Sequence, residues 1–222
     1  ILRDGERKPV GFTMPRLSAR RDIHELYSVK SRADIFPNAN FPLLVHVGAN
    51  IARAFALIHS LSVVVGDVNQ GNILVAQDGT VGFIDCDSFQ LSDGTRYFTC
   101  DVGVPLFTPP ELHGQSFRGL VRTPDHDRFG LAVLLFHLLF MGRHPFAGIY
   151  KGSGEMPPDR AIAEYRFAYS KHSLRSLMDR PPNTLPLNAV GQEVGSLFET
   201  AFEHDRAVHG RPTAEQWIAG LE

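Results

Sequence analysis

The stretch FGLAVLLFHLLFM at 129–141 has no polar face, and its one titratable side chain is His137. A helix with an apolar stripe can lie on a surface, but one that is apolar all round has to be enclosed. The segment is shorter than the roughly 20 residues that span a bilayer, and Asp127, Arg128, Arg143 and His144 flank it. The expectation is therefore a helix over 125–141 buried on all sides, with His137 a core histidine bonded to a carbonyl. A chain of 222 residues with 43% hydrophobic and 10% aromatic residues has the material to surround it, as one large or two small domains.

The other elements follow from periodicity. Between Phe41 and Ser60 the positions Leu44, Val47, Ile51, Phe55 and Ile58 recur at three- and four-residue steps, which puts them on one helical face. Short strands are predicted at 62–65, 73–76 and 81–84, the last two joined at Gln77-Asp78-Gly79, and a hairpin around Asp4-Gly5 within residues 1–14. Beyond Pro110 the regular segments read as helices at 125–141, 159–169, 173–179, 190–203 and 213–221, separated by joints such as MPP at 156–158 and RPPNTLPLN at 180–188. The fold class expected is α+β and mainly helical, with no internal repeat.

Several function classes recede on composition. The net charge of -2, with both signs mixed along the chain, gives no footprint for nucleic acid or an anionic membrane surface. Two cysteines, Cys86 and Cys100, make no disulfide framework, so a reducing cytoplasm is the simpler setting. No zinc-binding histidine spacing occurs among ten histidines. The opening ILRDGERKPVGFTMP has neither an initiator Met nor a signal peptide, and it reads as an excised segment of a longer chain.

VVVGDVNQGNILV at 63–75 carries the candidate chemistry: a polar run with Asp67, Asn69 and Asn72 between two apolar runs. Taken alone, such a run reads first as a plain turn, since Asp, Asn and Gly all favour turns. Thirteen residues beyond Asn72, however, GFIDCDSF ends a strand at Asp85, with Asp87 following. The returning hairpin brings these acids toward the first loop. Carboxylates with an amide carbonyl are oxygen ligands that suit Mg²⁺, which often binds through one or two carboxylates together with substrate phosphates.

These segments resemble the protein kinase superfamily, specifically its larger, mostly helical C-terminal lobe. Asp67 and Asn72 have the separation of the catalytic loop H-R-D-L-x-x-x-N, and Asp85 falls where the metal-binding Asp of D-F-G stands. GVPLFTPPE at 103–111 is similar to the end of an activation segment, and DHDRFG at 125–130 to the start of the buried central helix. GRHPF at 142–146 and HGRPTAEQW at 209–217 are similar to later landmarks. In the finer style of GDVNQGN, IDCDSFQ, GVPLFTPPEL and HDRFGLAVLLFHLLFMGRHPFAG, the chain resembles bacterial kinase-like proteins of the type associated with helix-hairpin-helix modules.

The resemblance implies that residues 1–15 are a remnant of small-lobe strands and hinge, and 16–222 the large lobe. Within that lobe lie a catalytic loop at 63–75, a metal-binding segment at 81–89 and an activation segment at 85–111. Asp67 orients or deprotonates the attacking hydroxyl, while Asn69 stands where a Lys usually faces the transferring phosphate. Asn72 and Asp85, with Asp87 as a further candidate, hold Mg²⁺ on ATP. Thr13, Met14 and Leu74 border the adenine. Glu111 pairs with Arg211 as a structural ion pair, and Asp125 braces the catalytic-loop backbone. With most of the small lobe missing, weak nucleotide binding and poor transfer are expected of these residues alone.

Departures from the family pattern keep two functions open. Val65 and Gly66 replace the His and Arg before the catalytic Asp, Cys86 and Asp87 replace the Phe and Gly of D-F-G, and Val104 replaces a Thr. GDVNQGN is nevertheless also similar to the loop of aminoglycoside phosphotransferases, which lacks the Lys and is catalytic. One reading is an ATP- and Mg²⁺-dependent phosphotransferase acting on protein Ser or Thr. The other is a pseudokinase-like module that binds a signalling partner. Ser88, Ser92, Thr95 and Thr99, in the interval where kinases carry phosphosites, read as residues of a solvated loop.

Overall fold

The computed structural model describes residues 1–11, 13, 16–172, 176–203 and 210–222. Mixed helices and small sheets make it an α+β structure. Against one central helix, α3 (Pro124–Leu139), pack α2 (Phe41–Ser60) and α5 (Gln192–Phe202), and α6 (Ala214–Leu221) packs on those two; the shorter α1 (Val29–Ile35) and α4 (Pro158–Ala163) lie outside them. In α3, each residue from Phe129 to Phe136, and again Leu138 and Leu139, is buried. Phe136 alone touches the rings of Phe140, Phe167, Tyr169, Phe198 and Phe202. Up to Phe140 the apolar segment is thus enclosed, largely by aromatic side chains from the C-terminal third of the chain, while Met141 beyond the helix is exposed.

Helix α2 begins where Asn40 accepts from Leu43 N at 3.0 Å, satisfying one of the amides that a helix start leaves without a partner. Its Leu44, Val47, Ile51 and Phe55 are all buried. Gly48 faces Leu135 and Leu221, where an added Cβ would lie 3.3 and 3.4 Å from their side chains. That close approach sets α2 against both α3 and α6. By length and hydropathy α2 could cross a membrane; here its apolar face is spent on the core.

Among the described residues the strands form four small antiparallel groups. β1 (Leu2–Arg3) pairs β2 (Pro9–Gly11), and β6 (Leu91–Ser92) pairs β7 (Tyr97–Phe98). β8 (Ile149–Tyr150) pairs β9 (Met178–Asp179). The sheet that matters for the site has the order β3 (Arg20–Asp22), β4 (Ile73–Ala76), β5 (Val81–Phe83), with Leu74 between Asp22 on one side and Gly82 on the other.

Three expectations need correction, and one strand went unpredicted. Residues 62–65 are not a strand: Ser62 has φ 58°, and only Val64 bridges to Gln90. The helix expected over 159–169 stops at Ala163, because Tyr165 turns to φ 55°, and Phe167 and Ala168 reach the core from irregular backbone. The helix expected over 173–179 falls partly outside the described residues, and its end, Met178–Asp179, is strand. Strand β3 has no signal in its sequence, being wholly charged.

Two histidines at the end of α3 are held neutral by burial. His137 stacks on Tyr27 at 5.5 Å between ring centroids, and its Nδ1 finds no partner among the described residues. Burial, then neighbouring His144, pushes its pKa down to about 4. His144 bonds the Leu106 carbonyl through Nε2 at 2.9 Å and accepts from Phe146 N, and burial likewise pushes it down to about 4. An unfolded chain would take up these protons at the ordinary histidine value, so between about pH 4 and 6.5 the unfolded state binds more protons than the folded one. Stability is then full above pH 6.5 and falls as the pH drops toward 4, by on the order of 2 kcal/mol per histidine at pH 5. Urea unfolding at pH 7 and pH 5 checks this. His137→Phe, which keeps a ring against Tyr27, is expected to lose less stability on acidification than the wild type, and an equal loss contradicts the assignment.

Candidate functional site

The loop between α2 and β4 is irregular backbone, so its polar groups need partners from elsewhere. Asp127, 1% exposed, supplies most of them. Its Oδ2 accepts from Val65 N at 2.7 Å and from His59 Nε2 at 3.0 Å, and its Oδ1 accepts from Gly66 N at 2.9 Å. Helix α3 therefore holds the backbone immediately before Asp67.

This corrects the assignment of Asp125. Residues two apart on a helix point about 200° from one another, so only one of Asp125 and Asp127 can face the loop. Asp127 shares its face with Gly130, Leu131 and Leu134 at three-, four- and seven-residue steps, and that face is buried. Asp125 points the other way. Its Oδ1 accepts from Arg211 N and its Oδ2 from Arg211 Nη1, both at 2.8 Å, while Arg128 Nη1 approaches at 3.4 Å. Arg211, 3% exposed, also reaches Glu111 through two parallel bonds, Nη1 to Oε1 at 2.7 Å and Nη2 to Oε2 at 2.8 Å. Asp125 and Glu111, both half-buried, thus share the buried Arg211 in one cluster that ties the end of the 85–111 segment to α3 and to the approach to α6.

Within the loop, both asparagines serve the same carbonyl. Asn69 Nδ2 donates to Asp67 O at 3.2 Å and Asn72 Nδ2 at 3.1 Å, the latter also lying 3.5 Å from Asp67 Oδ2. Asn69 Oδ1 is taken by Gly71 N at 2.8 Å. Asp67 Oδ1 is buried and has no hydrogen-bond partner among the described residues, which leaves it an unspent acceptor. Val68, behind the loop, packs so closely on α3 that a Cβ at Gly130 would lie 2.7 Å from its side chain.

The β4–β5 register brings the second acidic segment to this loop. Ile73 lies opposite Phe83, and just beyond them Ile84 N donates to Asn72 O at 3.0 Å, so Asp85 follows directly on Asn72's partner. Asp85 adopts the left-handed conformation, φ 60° and ψ 33°, which Asp tolerates better than most residues. It opens a one-turn 3₁₀ helix, Cys86–Ser88, flanked by Phe83 and Phe89 in edge-to-face contact. Asp85 and Asp87 are both exposed.

No three His, Cys, Asp or Glu side chains among the described residues gather into a metal cage. The left-handed turn at Asp85 carries Asp87 into the exposed 3₁₀ helix. What the two strand ends share is one half-buried carboxylate, one amide and one exposed carboxylate. Cys86 is exposed rather than packed behind a strand. Burial, followed by the charges of Asp85 and Asp87, raises its thiol pKa, so it is no thiolate.

Of the residues expected near adenine, Leu74 is half-buried at the centre of its sheet, with Leu17 packed over Gly82 opposite it. Thr13 is exposed, and Met14 lies outside the described residues.

Comparison with known proteins shows similarity to bacterial proteins named as protein kinases. The chain is 41% identical over 219 residues to Protein kinase YegI of Escherichia coli strain K12, covering 97% of this chain and 34% of that protein. The protein of the same name in Escherichia coli O157:H7 matches at the same identity and coverage. The chain thus spans about a third of the length of these curated relatives. It is also similar, at 27% identity over 117 residues, to the PAS domain-containing serine/threonine-protein kinase of Mus musculus, covering 52% of this chain and 8% of that protein. No protein-family model matches the chain.

Sequence reasoning missed His59 and Asp127 as partners of the loop. The available signal was the phase of Asp127 with the apolar face of α3. Replacing Asp127 by Ala strips the acceptor from the buried Val65 amide, the half-buried Gly66 amide and His59, and urea unfolding is expected to show a loss of about 3–5 kcal/mol. Asp127→Asn, which keeps one acceptor oxygen, is expected to lose roughly half as much; an Asp127→Ala protein as stable as the wild type contradicts the role.

Proposed function

We propose that this chain is the catalytic large lobe of an atypical bacterial protein kinase, transferring the terminal phosphate of ATP to Ser or Thr of a protein. The observation that carries the reading is the buried Oδ1 of Asp67, which has no partner among the described residues. A carboxylate held on a fixed backbone with one acceptor unspent suits a general base for a substrate hydroxyl. Asn72 and Asp85 are the residues that would hold Mg²⁺, with Asp87 as a further oxygen donor. They fit that ion, since Mg²⁺ takes hard oxygen ligands, uses few carboxylates and completes its shell with phosphate and water. When bound, Mg²⁺ supplies the charge that neutralises the transferring phosphate.

The protein's own contribution is positional. Asp67 orients the hydroxyl and takes its proton, the backbone bonds to Asp127 keep it aimed, and Leu74 with Thr13 borders the base of the nucleotide. The 103–111 segment, anchored through Glu111 and Arg211, offers the platform for a protein substrate, and a reducing cytoplasm suits the free Cys86 and Cys100. The curated relatives named as protein kinases support the class, while the substrate and the nucleotide are part of the proposal.

One observation favours a second reading, a pseudokinase-like module that binds a signalling partner. Asn69 stands where a cation usually meets the phosphate, and both ends of its amide are spent on Asp67 O and Gly71 N. Turnover decides between the two. In the full-length protein with Mg²⁺ and ATP, Asp67→Ala is expected to lower kcat by about 100-fold or more. Asp85→Asn is expected to abolish the Mg²⁺ dependence of nucleotide binding. Wild-type turnover that neither substitution changes sinks the catalytic reading.

A further inference from the structure

The Gly66 carbonyl belongs to the peptide bond that leads into Asp67. Asp127, an acceptor, can serve only the N–H side of this turn, so the carbonyl needs a donor from elsewhere. Arg122, 4% exposed and just ahead of α3, provides it. Its Nη1 donates to Gly66 O at 2.5 Å, and its Nη2 donates to Val102 O at 2.6 Å. One guanidinium therefore joins the loop of Asp67 to the 85–111 segment.

The surroundings are built for this cation. The guanidinium lies 4.1 Å above the Phe117 ring. The Gln90 side chain pins the Arg122 main chain in both directions, accepting from Arg122 N and donating to Arg122 O, each at 2.7 Å, and Gln90 itself bridges to Val64. Two glycines leave the room. A Cβ at Gly66, which has φ 72°, would lie 2.6 Å from Cys100 Cβ and 3.3 Å from Nη1; at Gly103 it would lie 2.9 Å from the Phe117 ring and 3.4 Å from Nη2. A lysine, with one point charge, could not reproduce this planar two-carbonyl bridge.

We infer that Arg122 is a positioning residue that orients the Gly66–Asp67 peptide and fastens the activation segment to it, so that the loop is set without a phosphate on that segment. The inference rests on the kinase-like reading of the loop. Gly66 leaves no arginine beside Asp67 to grip a phosphate, and the cation that takes its place comes from the other side of the segment. Arg122 is already committed to two carbonyls and a ring, and its burial gives a phosphate no approach. The nearby hydroxyls are likewise engaged locally: Ser92 with Arg96 O, Thr95 with Asp93 and Thr99 with Asp101.

The test uses the full-length protein and compares wild type, Arg122→Met and Leu134→Ala, a core control with its own stability loss. Amide hydrogen exchange in segments 64–69 and 99–104 is expected to rise together, by about tenfold or more, in Arg122→Met and not in Leu134→Ala. With Mg²⁺ and ATP, Arg122→Met is expected to lower kcat by about 10–100-fold while KM for ATP stays within about twofold. Phosphatase-treated wild type and a Ser92→Ala, Thr95→Ala, Thr99→Ala protein keep full turnover. Unchanged exchange in both segments, or turnover lost on phosphatase treatment, overturns the inference. If the wild type transfers no phosphate at all, the catalytic reading fails by itself, and the exchange comparison alone decides the clamp.

Discussion

The Asp127 carboxylate is the contact on which the rest of the site depends. It is buried on a helix that is otherwise apolar at that level, a costly place for a charge unless each oxygen is well bonded. Two backbone amides and His59 do that here. The bond is local in its chemistry and long-range in its effect, because it ties the end of α2 and the 63–72 loop to the buried central helix.

The central helix thus serves the site at several levels. Its apolar body, ringed by Phe167, Tyr169, Phe198 and Phe202, fixes where the helix lies. Gly130 then lets Val68 come close, Asp127 takes the loop amides, and Asp125 with Arg211 and Glu111 anchors the far end of the 85–111 segment. The short β4–β5 hairpin completes the arrangement by delivering Asp85 beside Asn72. A site assembled from loop ends can be precise when each of its backbone groups is held by an element that cannot move independently.

Much of this could be read from the residues. The apolar 129–141 run forced a buried helix, the three- and four-residue steps of α2 marked its inner face, and Gln77-Asp78-Gly79 marked the β4–β5 turn. What escaped was context. Strand β3 consists of Arg20, Arg21 and Asp22 and pairs through backbone alone, so no side-chain pattern announces it. Phe167 and Ala168 are core residues on irregular backbone, which periodicity extends as helix past the positive φ of Tyr165. The choice between Asp125 and Asp127 turned on helical phase, and two acids in DHDRFG look alike until the face of α3 is known. Arg122 gave no signal because its value lies in two carbonyls distant in sequence.

The most direct test of the account follows the metal. With a non-hydrolysable ATP analogue present, substituting Mn²⁺ for Mg²⁺ and recording paramagnetic broadening of backbone amide resonances locates the ion. The account predicts broadening at Asp67, Asn72 and Asp85 that excess Mg²⁺ reverses. Broadening elsewhere, or none with the nucleotide bound, contradicts it.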